Sequence, residues 1–223
     1  MWRGHNREFV LENHTDKIAY LDVLIRTLDK KIIPYVDWHS FCLMGNHPHE
    51  TGRLNFKHER KDCFDALGNW MRNAHSIFGA GYNRRYNRQG KVAYDRPKTK
   101  EVDAKGGILE VMFYYDANPV RAGMMSHPSR YRYSSHNYYA YGKKNRFTEK
   151  LVQPPEYLAL GKTPEARQRK FRSLCDEYLR KKGLIEDQPE DLTEKKPAVA
   201  TPSVTDIAES AWGDPADQSR VVK

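Results

Sequence analysis

The 223-residue chain has no long hydrophobic run, few cysteines and no internal repeat. No segment approaches the roughly 18 consecutive apolar residues of a membrane-spanning helix, so we expect no membrane partner. The polar start MWRGHNREF lacks the apolar core of a secretory signal. The three cysteines, Cys42, Cys63 and Cys175, are far apart and unpatterned, so neither a disulfide framework nor a CxxC metal knuckle is indicated. These absences predict a cytoplasmic protein.

Positive charge, in contrast, is abundant and unevenly placed. The whole chain carries a formal net charge of +9. Residues 184–223 contain nine acidic and four basic residues, a net charge of −5, which leaves +14 on residues 1–183. A folded part that basic typically binds a polyanion, and nucleic acid is the first candidate. A solvated basic surface without a partner is the alternative.

Hydrophobic periodicity and turn residues predict four helices and one β-hairpin. The predicted elements are a helix over 15–31 capped by Thr15, a strand over 32–44, a turn at Gly45-Asn46, a return strand from His49, a helix over 64–86 broken near Gly79 and Gly81, a basic hairpin or loop over 87–103, a helix that opens at 106 and stops at Asn118-Pro119, and a helix over 163–183 capped by Thr163. The composition after this last helix is typical of a disordered tail.

Two histidines stand one residue apart in the stretch FCLMGNHPHETGRL, residues 41–54. Successive side chains of a strand point to opposite faces, so His47 and His49 share a face if this stretch is extended. Their rings could then bind a divalent metal ion and leave its other coordination positions open. Two neighbouring histidines are also commonly plain surface or hydrogen-bonded residues.

A tyrosine and an asparagine stand four residues apart in the predicted helix that contains YYDANP. Tyr114 and Asn118 therefore project from one helix face. Alone, the pair is explained as a core tyrosine and an asparagine that ends a helix. Together with the histidines it offers two imidazoles, an amide oxygen and a phenol, a set suited to attack on a phosphodiester.

Three ordered motifs resemble the single-tyrosine transposases of the HUH class, and the REP-associated tyrosine transposases most closely. The motifs are MGNHPH (44–49), NRRYNRQG (83–90) and YYDANPVRAG (114–123), flanked by the similar segments RGHNREF (3–9) and YRYSSHNYYAYG (131–142). The resemblance covers roughly residues 3–142. It implies an α+β fold with a ferredoxin-like or RRM-like antiparallel sheet flanked by helices. The implied organisation is a catalytic domain over 1–142, a helical extension over 143–183 and a disordered acidic tail over 184–223.

The resemblance also implies roles for individual residues. His47, His49 and Asn118 would bind Mg²⁺ or Mn²⁺, and Tyr114 would become linked to the 5′ phosphate of cleaved single-stranded or hairpin DNA. Tyr115 is a poorer nucleophile candidate because it lies about 100° round the helix from Tyr114. A protein of this kind is expected in the bacterial cytoplasm, associated with the nucleoid, as a monomer or homodimer.

Basic residues between the histidine and tyrosine motifs predict contacts with the DNA backbone. The predicted contacts are Arg84, Arg85, Arg88, Lys91, Arg96 and Lys98. The alternative is a solvated basic loop. The tyrosines of 131–142 lie among cations, which suits stacking on unpaired bases, although core packing explains them equally well.

Three departures from the family pattern leave other functions open. Pro48 replaces a bulky apolar residue, Glu50 stands where an apolar residue is usual, and only two residues precede Arg3 where the family has a strand. A buried unpaired carboxylate is costly, so Glu50 should have a basic partner or mark an early strand end. One alternative is a protein that binds structured DNA without cutting it. Others are a phosphodiesterase that uses bound water, with Tyr114 structural, and a zinc protein that uses His47, His49 and Cys63.

Overall fold

A β-hairpin with helices packed against it forms the centre of the structure, a computed structural model that describes residues 4, 8–93, 99–101 and 107–186. The elements are α1 (His14–Thr27), β1 (Val36–Leu43), β2 (Pro48–Leu54), α2 (Arg60–Arg85), α3 (Gly107–Arg121), α4 (His136–Tyr141), α5 (Pro155–Leu158) and α6 (Pro164–Lys181), with 3₁₀ turns at Pro128–Arg130 and Thr148–Lys150. The predicted α+β class, an antiparallel sheet flanked by helices, is confirmed. No helix among these elements is long and apolar enough to cross a membrane.

All these elements belong to one compact unit, Met1–Ile185. The predicted acidic tail lies outside the described residues except for its first three positions.

The hairpin is antiparallel, and its register pairs Cys42 with His49 and Leu43 with Pro48. A register shift between Trp38 and Ser40 marks a bulge in β1. Pro48 is the first residue of β2, a position where a missing N–H does not interrupt the ladder. The proline that departs from the family pattern is therefore compatible with the strand.

An extended segment runs along the other edge of β1. The Leu43 N–H donates to the Tyr133 carbonyl at 2.9 Å, and the Ser135 N–H donates to the Phe41 carbonyl at 2.9 Å. An isolated antiparallel bridge joins Cys42 to Ser134 between these two bonds. Both edges of β1 are therefore covered near the end that leads to the histidines.

Aromatic residues fill the core between the hairpin and the first two helices. Trp38 stacks on Phe41 with ring centroids 5.4 Å apart and meets Trp70 of α2 edge-on at 5.9 Å. The Trp70 indole N–H donates to the Leu24 carbonyl of α1 at 3.1 Å, which satisfies a buried donor and ties the two helices together.

A second aromatic group joins the helices of the C-terminal half. Phe171 of α6 lies 5.1 Å from Phe113 of α3 and 5.6 Å from Tyr139 of α4, measured between ring centroids. Phe171 and Tyr139 are completely buried. The helix that carries Tyr114 is therefore packed against the helical extension.

Three predicted helix features are wrong, and each has a local reason. Asn13 caps α1 instead of Thr15, because the Asn13 side chain accepts a hydrogen bond from the Asp16 N–H. Helix α2 continues unbroken through both predicted glycine breaks. Helix α3 passes through Pro119 and ends at Arg121, and Gly123, at φ +67°, follows in the left-handed conformation.

The predicted cap of the last helix is confirmed. The Thr163 side chain accepts from the Ala166 N–H at 3.2 Å, and Pro164 occupies the first helical position. A threonine followed by proline was sufficient to locate this helix start.

Replacing the cap of α1 tests the correction. We expect Asn13→Ala to lower the free energy of unfolding by about 1–2 kcal/mol, because the side chain caps the helix and also donates to Tyr86 Oη at 2.8 Å. Thr15→Ala, at an exposed position, should cost less than about 0.5 kcal/mol. Urea unfolding of both variants measures the difference, and equal losses would contradict the assignment of the cap.

Candidate functional site

The two histidines stand side by side where β2 begins, His47 directly before the strand and His49 as its second residue. The ring centroids of His47 and His49 are 4.7 Å apart with an interplanar angle of 79°. His47 is half-buried and shares a hydrogen bond between its Nδ1 and Asn46 Oδ1, whereas His49 is only 5% exposed. Strand alternation thus brings both imidazoles to one face, as predicted from their spacing.

Helix α3 places two consecutive tyrosines beside His49 in different environments. The Tyr114 ring is 43% exposed and lies edge-on to His49 at 6.1 Å between centroids. The Tyr115 ring is closer, at 4.7 Å, and its hydroxyl donates to the Glu50 carbonyl at 3.3 Å. Burial, with the Glu50 carboxyl nearby, raises the pKa of Tyr115 to about 12. Tyr115 therefore supports His49, and Tyr114 presents its phenol to solvent.

Asn118 lies one turn beyond Tyr114 and is held by a residue that the sequence analysis did not single out. Arg121 Nη1 donates to Asn118 Oδ1 at 3.0 Å, and the same guanidinium lies 5.3 Å from the centroid of the Tyr114 ring. The buried Asn118 Nδ2 has no hydrogen-bond partner among the described residues. Arg121 follows Asn118 by three residues and Tyr114 by seven, spacings that place all three side chains on one helix face. This periodicity is the sequence signal that would have identified Arg121.

These side chains fit a divalent ion by their donor chemistry. Two adjacent imidazoles suit Mn²⁺ better than Mg²⁺, which prefers oxygen ligands. An amide oxygen has two lone pairs, so Asn118 Oδ1 can accept from Arg121 and still offer one to a metal.

Glu50 points to the opposite face of β2 from His49 and is satisfied there by Tyr20. The Tyr20 hydroxyl donates to Glu50 Oε1 at 2.6 Å, and His75 Nε2 lies 3.3 Å from the same hydroxyl. Burial raises the pKa of Glu50 and lowers the pKa of His75 to about 4. The alternative of an early strand end is wrong, because β2 continues to Leu54. Among the described residues, the direct hydrogen-bond partner of the carboxyl is the Tyr20 phenol.

Some of the predicted DNA contacts form ion pairs within the protein, and others are exposed to solvent without an ion pair among the described residues. Arg85 forms an ion pair with the buried carboxylate of Asp16, and Arg88 Nη2 lies 2.8 Å from Glu8 Oε2. Arg84 and Lys91 are exposed. The other two predicted contacts, Arg96 and Lys98, lie outside the described residues. Arg85 thus has a structural role that the sequence did not reveal.

The tyrosines of 131–142 are divided between core and surface. Tyr131 and Tyr139 are buried, and their hydroxyls donate to the carbonyls of Leu43 and His39. Tyr141 is 41% exposed, with the Arg172 guanidinium 5.0 Å from its ring centroid. Core packing therefore explains two of these tyrosines, and Tyr141 is exposed enough to stack on a base.

The zinc site that combines Cys63 with the histidines is wrong. Cys63 Sγ donates to the Asn55 carbonyl at 3.2 Å, just beyond the far end of β2. At about 3.3 Å per strand residue, the six steps from His49 to Asn55 separate the two ends by about 20 Å. The three side chains cannot share an ion.

The destabilisation of the fold by the buried Glu50 carboxyl can be measured through the pH dependence of unfolding. A pKa raised by folding means that the folded state holds the Glu50 proton more tightly than the unfolded state. Ionisation therefore destabilises the fold at pH 7, and the cost disappears as the pH falls toward the unfolded pKa near ~4.3. We expect Glu50→Gln, which keeps an acceptor for Tyr20, to raise the free energy of unfolding at pH 7 and to lose this advantage near pH 4.

Urea unfolding across this pH range provides the measurement, with the exposed Glu149→Gln as control. A gain in the free energy of unfolding of Glu50→Gln that is the same at every pH would show that folding does not raise the pKa of the Glu50 carboxyl.

Comparison with protein-family models, curated proteins and solved structures finds no match to this chain. The structure brings together an imidazole pair and an exposed phenol beside it, and it places basic side chains at the end of α2.

Proposed function

We propose that the chain is a transposase-like, metal-dependent endonuclease that cleaves and rejoins single-stranded DNA, with Tyr114 as the nucleophile. The observation that carries this proposal is the exposed phenol of Tyr114 beside the His47–His49 pair. The order and spacing of the motifs that resemble HUH transposases support it further.

The chemistry divides among a few side chains. Tyr114 Oη forms a bond to phosphorus as the bond from phosphorus to the 3′ oxygen breaks, which leaves a 5′-phosphotyrosine and a 3′-hydroxyl. Mg²⁺ or Mn²⁺, held by His47, His49 and Asn118, would supply polarisation of the phosphate. Arg121 adds positive charge beside the phenol. The phosphotyrosine keeps the energy of the ester bond, so rejoining to a 3′-hydroxyl needs no ATP.

The substrate follows from charge and access. The net charge of +14 on residues 1–183 favours nucleic acid, and Arg84 and Lys91 are exposed near the C-terminal end of α2. A phenol on a helix surface reaches an unpaired, flexible strand more readily than a phosphate within a duplex, so we favour single-stranded or hairpin DNA. The protein would act on the bacterial nucleoid, as a monomer or homodimer.

A second candidate is a protein that binds structured DNA without cutting it. The basic side chains at the end of α2 and the exposed ring of Tyr141 support this candidate, because they could contact DNA without any metal ligand. The two candidates differ in one product, a covalent link between protein and DNA.

The covalent link can be detected directly. Full-length protein is incubated with 5′- and 3′-labelled hairpin oligonucleotides of varied stem and loop in Mn²⁺, then analysed on a denaturing gel. We expect a covalent protein–DNA band that Tyr114→Phe abolishes, a loss of at least about 100-fold, because the nucleophile is absent. Tyr115→Phe is the matched control, and it should retain the band because it keeps the ring that lies against His49.

His49→Ala should lose the band while DNA binding remains. A band that persists in Tyr114→Phe would refute the nucleophile. Hairpin binding without a band in the native protein would favour the second candidate, and repeated cutting without a band would indicate a phosphodiesterase that uses water.

The division of the basic residues predicts two different kinds of defect. The double variant Arg84→Ala, Lys91→Ala should weaken single-stranded DNA binding and reduce the slope of log K against log salt by about 1.4, or about 0.7 per phosphate contact. Arg85→Ala should instead destabilise the fold, since it leaves buried Asp16 without its ion pair.

Fluorescence anisotropy at several salt concentrations measures the slope. The control is the double variant Lys30→Ala, Lys31→Ala. It removes the same charge from the loop after α1, away from the C-terminal end of α2 that carries Arg84. An equal slope in both double variants would show that Arg84 and Lys91 make no specific contact with DNA.

A further inference from the structure

Three metal-ligating side chains from three helices meet in the core on the other side of α3. They are Asp116 of α3, His136 of α4 and Cys175 of α6, and one ligand atom from each lies within 4.8 Å of the other two. All three are buried, at 4%, 1% and 0% exposure. Asp116 is two residues from both Tyr114 and Asn118, about 200° round the helix, so this cluster is separate from the histidine pair of β2.

The polar contacts within the cluster leave bonding capacity unused. His136 Nδ1 lies 2.8 Å from Asp116 Oδ2, so the two side chains share a proton. The buried His136 Nε2 has no hydrogen-bond partner among the described residues. Burial, together with the Asp116 carboxylate, raises the pKa of the Cys175 thiol. Without a metal ion, this carboxyl, imidazole and thiol are buried together with one hydrogen bond between them, from His136 to Asp116. Burying polar groups with so few partners is unfavourable.

We propose that Asp116, His136 and Cys175 form a structural Zn²⁺ site that joins the tyrosine helix to the helical extension. A thiolate, an imidazole and a carboxylate are all zinc ligands, and the sulfur donor disfavours Mg²⁺ and Mn²⁺. On binding, the Cys175 thiol would give up its proton to solvent, whereas neutral His136 and the Asp116 carboxylate would bind through free lone pairs without losing one. Water completes the tetrahedron.

The distances are compatible with this site. Zinc bonds of about 2.3 Å to sulfur and 2.0–2.1 Å to nitrogen or oxygen place neighbouring ligand atoms roughly 3.5 Å apart. The ligand atoms lie within 4.8 Å of one another, so no separation has to shorten by more than about 1.3 Å. The packing of Phe171 against Phe113 and Tyr139 already holds the three helices together.

The thiolate gives this site a spectroscopic signature that the proposed catalytic site cannot produce. Full-length protein, freed of metal by a chelator, is titrated with Co²⁺, which adopts zinc geometry. We expect a thiolate-to-cobalt charge-transfer band in the near ultraviolet that saturates at one equivalent. Addition of Zn²⁺ should abolish the band and raise the melting temperature.

Variants assign the band to this cluster. Cys175→Ser should remove it, whereas Cys63→Ser, at the other buried thiol outside the cluster, should leave it unchanged. His47→Ala should also leave it unchanged, so failure of the zinc site and failure of the catalytic proposal are distinguishable. If Cys175→Ser does not fold, His136→Gln serves in its place, with weaker Co²⁺ binding expected.

Absence of a charge-transfer band in the native protein, with no change of melting temperature on addition of Zn²⁺, would overturn the proposal. The cluster would then be a buried His–Asp pair packed against a thiol. A band that persists in Cys175→Ser would likewise overturn it.

Discussion

The pairing of Cys42 with His49 is the constraint on which the rest of the site depends. It puts His49 on the face of β2 that meets α3, and Glu50 on the face that meets Tyr20 of α1. A slip of one residue would exchange the two, because side chains alternate along a strand. The carboxyl would then face α3, and the imidazole would face the core behind the hairpin. Partners on both edges of β1 oppose such a slip.

The rotation of α3 about its axis decides which tyrosine is accessible. Tyr115 is held on one side by the His49 ring and the Glu50 carbonyl, and Asp116 is held on another by His136. With two buried attachments about 100° apart, the helix cannot turn without breaking one of them. Tyr114 is therefore directed outward, and Arg121 lies about two turns further along the same helix face. The exposure of the proposed nucleophile follows from the burial of its neighbours.

The parts of this arrangement that depend on local periodicity could be predicted from the sequence. The hairpin, the shared face of His47 and His49 and the Thr163 cap are of this kind. The Asn13 cap could not be chosen over Thr15, since both residue types cap helices and Asn13 is favoured by its bond to Tyr86, 73 residues away. The pairing of Arg85 with Asp16 is equally distant in the chain. Periodicity does not encode such contacts.

The two proposed donor sets on opposite sides of α3 differ in their ligand chemistry. The proposed set of His47, His49 and Asn118 contains nitrogen and oxygen only, and exposed Tyr114 stands beside His49. The core set of Asp116, His136 and Cys175 adds sulfur and is buried. A thiophilic ion would bind best to the core set, whereas a harder ion would bind best to the set beside Tyr114, where a phosphate could complete its coordination. Ligand softness thus gives the two proposals different ions on the two sides of one helix.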